Sequence, residues 1–191
     1  MIAHLNGRLV EKNATNLIVE CGGVGYFVKI SLHTFSKIGK EEQIKIYTQL
    51  QIREDAHTLY GFYELKERDM FNHLISVSGV GANTAILMLS ALTSDEIAAA
   101  IVGENVALIQ SIKGIGLKTA QRLIIDLKDK VSKIDFNAEN IFDSNNTNQN
   151  DALIALLSLG FDKLKADKAI KKIITDDQSV EEIIKQALKI I

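Results

Sequence analysis

The sequence predicts an α+β protein of several domains: a small β-barrel, a tandem pair of helical hairpins, a flexible linker and a small three-helix domain. Three observations predict this class. Short segments rich in β-branched and aromatic residues fill residues 1–63. The spacing of apolar residues then becomes helical over residues 64–133. An asparagine-rich stretch, residues 134–150, separates this part from residues 151–191, which are again helical in pattern.

Composition excludes several classes of protein. The 191 residues are 47% hydrophobic and 24% charged, which is typical of a folded globular chain. The net charge of -2 excludes a uniformly basic surface but leaves room for a local basic patch. A single cysteine, Cys21, forms no internal disulfide, and no apolar run reaches the ~20 residues of a membrane span. The N-terminus lacks the features of a signal peptide, so we expect a soluble cytoplasmic protein.

The sequence of residues 1–63 predicts five strands. They cover residues 2–10, 16–20, 25–30, 43–50 and 56–62. The chain has no proline, so its turns are made by glycine, asparagine and aspartate. Five short strands favour a closed or nearly closed barrel, because closure removes exposed strand edges.

The helical parts are marked by capping signals. Helices are predicted over residues 65–77, 83–92, 95–102, 106–111, 118–131, 152–159, 163–174 and 180–190. Thr93 with Glu96 has the spacing of a capping box, and Ser179 with Glu182 forms a second one. Gly160 is placed to end a helix.

The middle part contains an internal repeat. Residues 74–85 align with residues 109–120 at an offset of 35 positions, for example Gly79 with Gly114. The identical pairs are Ser76/Ser111, Gly79/Gly114, Gly81/Gly116, Thr84/Thr119 and Ala85/Ala120. Each copy is a helix end, a Gly-aliphatic-Gly turn and the start of a second helix.

Such a turn is suited to bind phosphate. Glycine permits positive φ and close approach of the backbone to a ligand. The helix that follows begins with unpaired N–H groups and the positive end of its dipole. The apolar residue between the glycines, Val80 or Ile115, would anchor the turn in the core. Nothing in this geometry reads a base, so we expect binding to the DNA backbone without sequence preference.

Charge is concentrated at the second copy. Lys113 and Lys118 flank its turn, and Arg122 lies one helical turn further on the same face. The first copy has Ser78 and Asn83 at the matching places, so it should bind phosphate more weakly. The candidate phosphate-binding residues are Gly79, Val80, Gly81, Asn83, Lys113, Gly114, Ile115, Gly116, Lys118, Thr119 and Arg122. One such turn could serve only for packing, but two copies with basic side chains favour DNA binding.

Other chemical signals are weak. Gly116 to Thr119 resembles the end of a P-loop, but an extra residue separates glycine from lysine and no strand precedes it. The histidines are scattered without metal-ligand spacing, so neither a metal nor a cofactor is expected. Glu54 and Asp55 lie between two predicted strands and, taken alone, are most simply a polar hairpin tip.

Together these segments resemble the RuvA family, the junction-binding subunits of bacterial branch-migration complexes. The similar segments are Gly22-Gly23-Val24-Gly25-Tyr26, Arg53-Glu54-Asp55-Ala56, Leu59-Tyr60-Gly61-Phe62 and the two glycine turns. The resemblance covers essentially the whole chain. Family members often carry lysine where this chain has Asn83, and two adjacent lysines where it has Leu117-Lys118.

The resemblance implies a fold and a function. It implies an OB-fold barrel, a tandem helix-hairpin-helix domain and a mobile, UBA-like third domain. It also implies a homotetramer, or two tetramers face to face, that holds four-way (Holliday) junction DNA open during recombination and repair. Glu54 and Asp55 would form an acidic pin that separates strands at the junction centre.

The resemblance further implies protein partners. The third domain would bind an AAA+ ATPase motor (RuvB-like), and a junction resolvase (RuvC-like) is a further candidate partner. Our candidates for motor docking are Leu156, Leu157, Leu159 and Phe161, which could equally form the core of the small bundle. ATP and Mg²⁺ would be used by the motor and not by this chain.

Two other classes of function stay open at this point. A nuclease or glycosylase could use the hairpins for grip and would need a carboxylate cluster or a base-flipping pocket. Cleavage of a labelled junction with Mg²⁺ alone would indicate such an enzyme. An adaptor could instead use the C-terminal helices only to bind protein.

Overall fold

The computed structural model describes residues 1–139, 144–173 and 178–190. The chain divides into two compact units, Met1–Lys133 and Ile134–Ile191, which are described separately below.

The first unit begins with a closed five-stranded barrel, which confirms the predicted OB-like fold. Its strands are β1 (His4–Asn13), β2 (Asn16–Cys21), β3 (Val24–Ile30), β4 (Gln43–Ile52) and β5 (His57–Phe62). The order around the barrel is β1-β2-β3-β5-β4, and only the β3–β5 pair is parallel. Alternate residues point inward and form the core, among them Leu17, Val28 and Ile46.

A short helix, α1 (Leu32–Lys37), lies between β3 and β4 and was missed by the sequence analysis. Ser31 caps it, because the Ser31 side chain accepts a hydrogen bond from the Thr34 backbone N–H over 3.0 Å. The segment is too short for an apolar period to be visible, so this capping serine was its only signal.

Five helices complete the first unit. They are α2 (Leu65–Ile75), α3 (Ala82–Ala91), α4 (Ser94–Val102), α5 (Val106–Gln110) and α6 (Leu117–Glu139), which continues into the second unit. The predicted capping box at Thr93 and Glu96 is confirmed, since both of its hydrogen bonds are present. Gly81 and Gly116 each stand just before a helix and accept the first i to i+4 backbone hydrogen bond.

The barrel and the helices have separate apolar cores, and the end of β5 belongs to the helical one. Tyr60 and Phe62 leave the last barrel strand and pack against Phe71 of α2, with ring centroids 5.1 and 5.0 Å apart. Beside them, the buried carboxylate of Glu67 accepts hydrogen bonds from the hydroxyls of Ser31 and Thr34. This packing fixes the orientation of the barrel relative to the hairpin helices.

The segment predicted as a linker, residues 134–150, differs in part from expectation. Helix α6 runs to Glu139 and α7 (Ser144–Ser158) already begins at Ser144, while residues 140–143 lie outside the described residues. The segment holds neither glycine nor proline. Asparagine costs only about 0.7 kcal/mol relative to alanine in a helix, so the neighbouring helices can extend into the segment from either side.

After the end of α6, the described residues of the second unit form three helices, as predicted: α7, α8 (Lys163–Ile173) and α9 (Val180–Ala187). Gly160 has φ +92° and ends α7, with the backbone N–H of Phe161 bonded to the carbonyl of Leu156. The capping box at Ser179 and Glu182 is confirmed. The small core consists of Ala152, Leu156, Ala166, Ala169, Ile170, Ile183 and Ala187.

Candidate nucleic-acid interface

The first glycine turn joins α2 to α3. Ser76 closes α2, and Gly79 follows with φ +94°, a backbone conformation that favours glycine. The backbone N–H of Val80 then bonds to the carbonyl of Val77 over 3.0 Å. Gly81, in extended conformation, is the N-cap of α3. The backbone therefore turns between α2 and α3, and the two glycines of the turn are exposed to solvent.

The second turn repeats this geometry at the same offset of 35 residues. Gly114 has φ +92°, and the N–H of Ile115 bonds to the carbonyl of Ile112 over 3.1 Å. The side chains of Ser76 and Ser111 also match, each donating to the carbonyl three residues earlier over 2.7 Å. The predicted repeat of helix, turn and helix is therefore confirmed.

Both aliphatic residues between the glycines anchor their turns. Val80 and Ile115 are each only 5% exposed and belong to the helical core. The glycines on either side remain at the surface. The backbone is thus held from behind by apolar packing while its amide face stays open to a ligand.

The start of α3 has unsatisfied backbone donors. No side chain caps this helix, since Gly81 has none to offer. The first amides of α3, including that of Asn83, are directed away from the helix body and have no intrahelical acceptor. Asn83 itself accepts a hydrogen bond through Oδ1 from the Tyr60 hydroxyl over 3.2 Å. Its side chain is therefore tied to the barrel, a contact that the sequence did not predict.

The basic side chains lie around these turns. Lys113, Lys118 and Arg122 are exposed, and no carboxylate in the described part of the chain forms an ion pair with them. Lys128 differs, because it pairs with Glu104. That contact raises the pKa of Lys128 and lowers the pKa of Glu104. Lys113, Lys118 and Arg122 are therefore available to a ligand.

Arg122 lies at a different turn from the one predicted. Its Nη1 atom is 3.5 Å from the carbonyl oxygen of Ser78, in the first turn. Thr119, on the same face of α6, also approaches that turn, with Oγ1 3.7 Å from an ideal Cβ on Gly79. The spacing of Arg122 to Lys118 had suggested the second turn. The structure instead brings the arginine to the first.

Glu54 and Asp55 occupy the tip of the β4–β5 hairpin, as predicted. The turn is closed by the backbone N–H of Arg53, which donates to the carbonyl of Ala56 over 2.9 Å. All four residues of this turn are exposed. Arg53 also acts on Tyr60: burial raises the pKa of the Tyr60 phenol, and the positive charge of Arg53 offsets part of that rise.

The candidates for partner docking are divided by the fold of the second unit. Leu156 is fully buried in its core, so the prediction that this residue offers a docking surface is corrected. Leu156 has the helical spacing of the other inward-facing residues of α7. Which leucine of this helix is enclosed becomes visible only in the packed bundle. Leu159 is 62% exposed and Leu157 38%, while Phe161 is half-buried against the core.

Two further properties of the described residues concern metals and membranes. Within the described residues no group of three or more histidine, cysteine, aspartate or glutamate side chains could hold a metal ion. No single described helix is long and apolar enough to cross a membrane. Helices α3 and α4 are long and apolar enough only when taken together, and a bend of 98° separates them.

Comparison with known protein families accounts for nearly the whole chain. Residues 1–61 match the RuvA N terminal domain, residues 71–129 the SAM-like helix-hairpin-helix tandem, and residues 147–191 the RuvA C-terminal domain. A relative from Christiangramia forsetii is 54% identical over 191 residues, with 99% of each chain covered. The chain belongs to the RuvA family.

Other members of the RuvA family are similar in sequence to this chain along their full length. A Flavobacterium psychrophilum protein is 52% identical with 99% of each chain covered, and one from Porphyromonas gingivalis is 45% identical with complete coverage. All three relatives are named Holliday junction branch migration complex subunit RuvA. The resemblance drawn from the sequence is confirmed. Both glycine turns lie within the helix-hairpin-helix match, and the acidic tip lies within the RuvA N-terminal match.

Two residues that shape this interface were missed by the sequence analysis. Tyr60 ties Asn83 to the barrel, and Glu67 joins α2 to α1. Neither has a local signal, because each partner lies more than 20 residues away. The only sign in the sequence was a glutamate in the apolar stripe of α2. Its role is recognised only because the structure shows that it is buried.

Proposed function

We propose that this chain binds four-way DNA junctions through the sugar–phosphate backbone, holds them open and flat, and recruits an AAA+ ATPase motor (RuvB-like) for branch migration. The chain is in this proposal a subunit of the motor complex without a catalytic site of its own. The full-length similarity to proteins named as RuvA subunits of that complex supports the proposal.

The observation that carries the proposal is the duplicated turn. Two turns with the same backbone bonds and the same left-handed glycine present open helix starts at one surface. Exposed cations without carboxylate partners in the described chain lie beside them. Amide donors with a positive helix end and a nearby cation suit a phosphate oxygen. Since a duplex has regularly spaced phosphates, a pair of such turns suits a DNA backbone.

The binding roles are assigned within this surface. The backbone of Gly79, Val80, Gly81, Gly114, Ile115 and Gly116, together with Asn83, Lys113, Lys118, Thr119 and Arg122, holds phosphates. All these contacts go to the backbone, so affinity is independent of arm sequence and falls with salt.

The acidic tip acts where strands part. Glu54 and Asp55 are exposed at the end of a hairpin whose base is fixed in the barrel. Negative charge repels phosphates, so the tip disfavours a closed duplex beside it. We assign these two carboxylates the role of a pin that separates strands at the junction centre.

Assembly follows from the shape of the ligand. A four-way junction has four arms, so a homotetramer would give each arm an equivalent binding surface. A second tetramer on the opposite face would enclose the DNA, and a single one would leave room for a resolvase (RuvC-like). Native mass measurement with and without a junction distinguishes these arrangements.

The C-terminal unit carries the motor contact in this proposal. Leu159 and Phe161 follow one another around the glycine that ends α7, and Leu159 is largely exposed. An exposed leucine beside a half-buried aromatic residue suits an apolar partner surface. The motor supplies the ATP and Mg²⁺ chemistry, so this chain needs no cofactor. We expect a chain that binds such DNA to be located in the cytoplasm.

Binding to designed DNA tests the function. Fluorescence anisotropy is measured with the full chain and three junctions of unrelated arm sequence, beside a linear duplex of equal length. We expect equal affinity for the three junctions and weaker binding to the duplex. Equal affinity for duplex and junction, or a strong dependence on arm sequence, would contradict the proposal.

A second assay separates the scaffold from an enzyme. Labelled junction is incubated with Mg²⁺ and the chain alone, then with an added RuvB-like motor and ATP. We expect intact DNA in the first reaction and strand exchange only in the second. Cleavage or base loss without the motor would instead indicate a nuclease or glycosylase.

A further inference from the structure

The two hairpins carry unequal charge in the sequence. Lys113 and Lys118 flank the second turn, whereas the matching positions of the first turn hold Ser78 and Asn83. Asn83 is also engaged with Tyr60. Judged by its own residues, the first turn offers a phosphate only uncharged donors and no cation.

Helix α6 of the second hairpin lies against that first turn. Thr119 approaches Gly79, and the guanidinium of Arg122, three residues further on, reaches the carbonyl of Ser78. Positions three apart lie on one face of a helix, so these contacts describe one packed surface. Arg122 is thereby placed beside the turn that lacks a cation.

The guanidinium keeps most of its donors after this contact. Arginine has five N–H donors, and its single described contact, to Ser78, is a long one of 3.5 Å. The side chain is exposed and forms no ion pair within the described residues. A planar group with free donors at an amide-rich turn is well placed to bind a phosphate in bidentate fashion.

We propose that Arg122 completes the phosphate site of the first hairpin, although it belongs to the helix of the second. This inference rests on the proposed function and assigns a different cation of α6 to each turn. Lys118, at the start of α6, serves the second turn, and Arg122, one helical turn later, serves the first. The two phosphate sites are then coupled through one helix, and each side chain has its own turn.

A double-mutant cycle tests the assignment. Gly79→Ala and Gly114→Ala form a matched pair, because both glycines have φ near +90° and neither has a neighbour that an added Cβ would strike. Each substitution distorts its own turn through backbone strain. Arg122→Gln is combined with each one, and junction affinity is measured across a salt titration. We expect Arg122→Gln to lose most of its effect beside Gly79→Ala and to keep it beside Gly114→Ala.

Lys118→Ala provides the opposite pattern in the same cycle. Its effect should vanish beside Gly114→Ala and persist beside Gly79→Ala. Arg8→Gln controls for loss of an arginine elsewhere, since Arg8 is paired with Glu20 on the barrel. Thermal unfolding of every variant identifies any that fail to fold.

A rescue experiment avoids the strained glycine variants. Asn83→Lys places a cation on the first hairpin itself, so it should restore the salt dependence that Arg122→Gln removes. The magnitude of the slope of log affinity against log salt should fall by about 0.9 for each phosphate that is no longer neutralised, and return by the same amount. Arg122→Lys should keep the slope. A purely structural arginine would change the unfolding temperature and leave the slope intact.

The outcomes are distinct. Coupling of Arg122→Gln to Gly114→Ala, or an unchanged salt slope in Arg122→Gln, would overturn the assignment while Lys118→Ala still weakens binding. If Lys118→Ala, Gly114→Ala and Arg122→Gln all leave junction binding unchanged, the proposed function itself fails.

Discussion

The hydroxyl of Tyr60 donates a hydrogen bond to the side-chain oxygen of Asn83, with 3.2 Å between the two oxygens. Tyr60 lies on the last barrel strand, and Asn83 lies in the first turn of α3. The contact joins the strand that follows the acidic tip to the helix that follows the first glycine turn. Asparagine at this position supplies an acceptor, which lysine cannot do.

Asn83→Lys should therefore have two opposite effects. The added cation beside the first turn should strengthen junction binding at low salt and steepen its salt dependence by about 0.9 per new phosphate contact. Loss of the acceptor should lower the free energy of unfolding by about 1 kcal/mol. Anisotropy and denaturant unfolding measure the two effects. Tyr60→Phe removes the same hydrogen bond without adding charge, so a steeper salt slope in that variant would contradict the explanation.

Lys118→Ala should weaken junction binding equally for all arm sequences. Lys118 is exposed beside the second turn, and a phosphate contact carries no sequence information. The salt slope should decrease by about 1 for the phosphate that this lysine would neutralise. Lys45→Ala, on barrel strand β4, is the matched control. Identical titrations for Lys118→Ala and the unaltered chain would reject this role.

The double variant Glu54→Gln with Asp55→Gln should retain junction binding and change the rate of branch migration. Both carboxylates lie at an exposed tip, so their amides preserve the shape and remove only the charge. The rate is measured with a RuvB-like motor, ATP and a labelled junction. Glu41→Gln with Glu42→Gln, an exposed pair before β4, controls for the change in net charge. An unaltered migration rate would remove the assignment of a pin.

Glu67→Ala should destabilise the first unit strongly. The substitution leaves the hydroxyls of Ser31 and Thr34, both fully buried, without their common acceptor. Because the variant loses two hydrogen bonds to a carboxylate, its free energy of unfolding should decrease by about 2–4 kcal/mol. Denaturant unfolding measures the decrease. Glu64→Ala breaks only an exposed ion pair with Lys37 and should cost less than about 1 kcal/mol. Similar losses in both variants would contradict a special role for Glu67.

The capping box of α4 predicts a pH dependence. The backbone N–H of Thr93, and secondarily its hydroxyl, holds the pKa of Glu96 below its usual value. A carboxylate with a lowered pKa in the folded state stabilises the fold above its unfolded pKa of ~4.3, and this contribution disappears as pH falls through the folded value. Between pH 6 and about pH 3, the free energy of unfolding should therefore fall less in Glu96→Gln than in the unaltered chain. An equal slope in both would show that Glu96 does not titrate in this way.

Much of the fold and part of the site could be predicted from the chain. The capping boxes and the glycine turns at residues 79–81 and 114–116 were expected at their observed places, and the five strands to within three residues at each end. Each depends on residues within about four positions of one another, so local chemistry determines it. The acidic tip was placed correctly for the same reason.

Other features were decided by packing between distant segments. The turn that Arg122 approaches is 44 positions away along the chain, and the hydroxyls that hold Glu67 are more than 30 positions away. Leu156 and Leu159 are alike as residues, yet one is enclosed by the bundle and the other is largely exposed.

The amino-acid sequence by itself determined the family, the order of the elements and the two backbone turns that suit phosphate. Only the tertiary structure decided which turn Arg122 approaches, which polar group links barrel to hairpin and which leucine of the last unit remains exposed. The reason is physical: φ preferences and helix caps act over one turn of chain, whereas burial and side-chain contacts depend on segments brought together by folding.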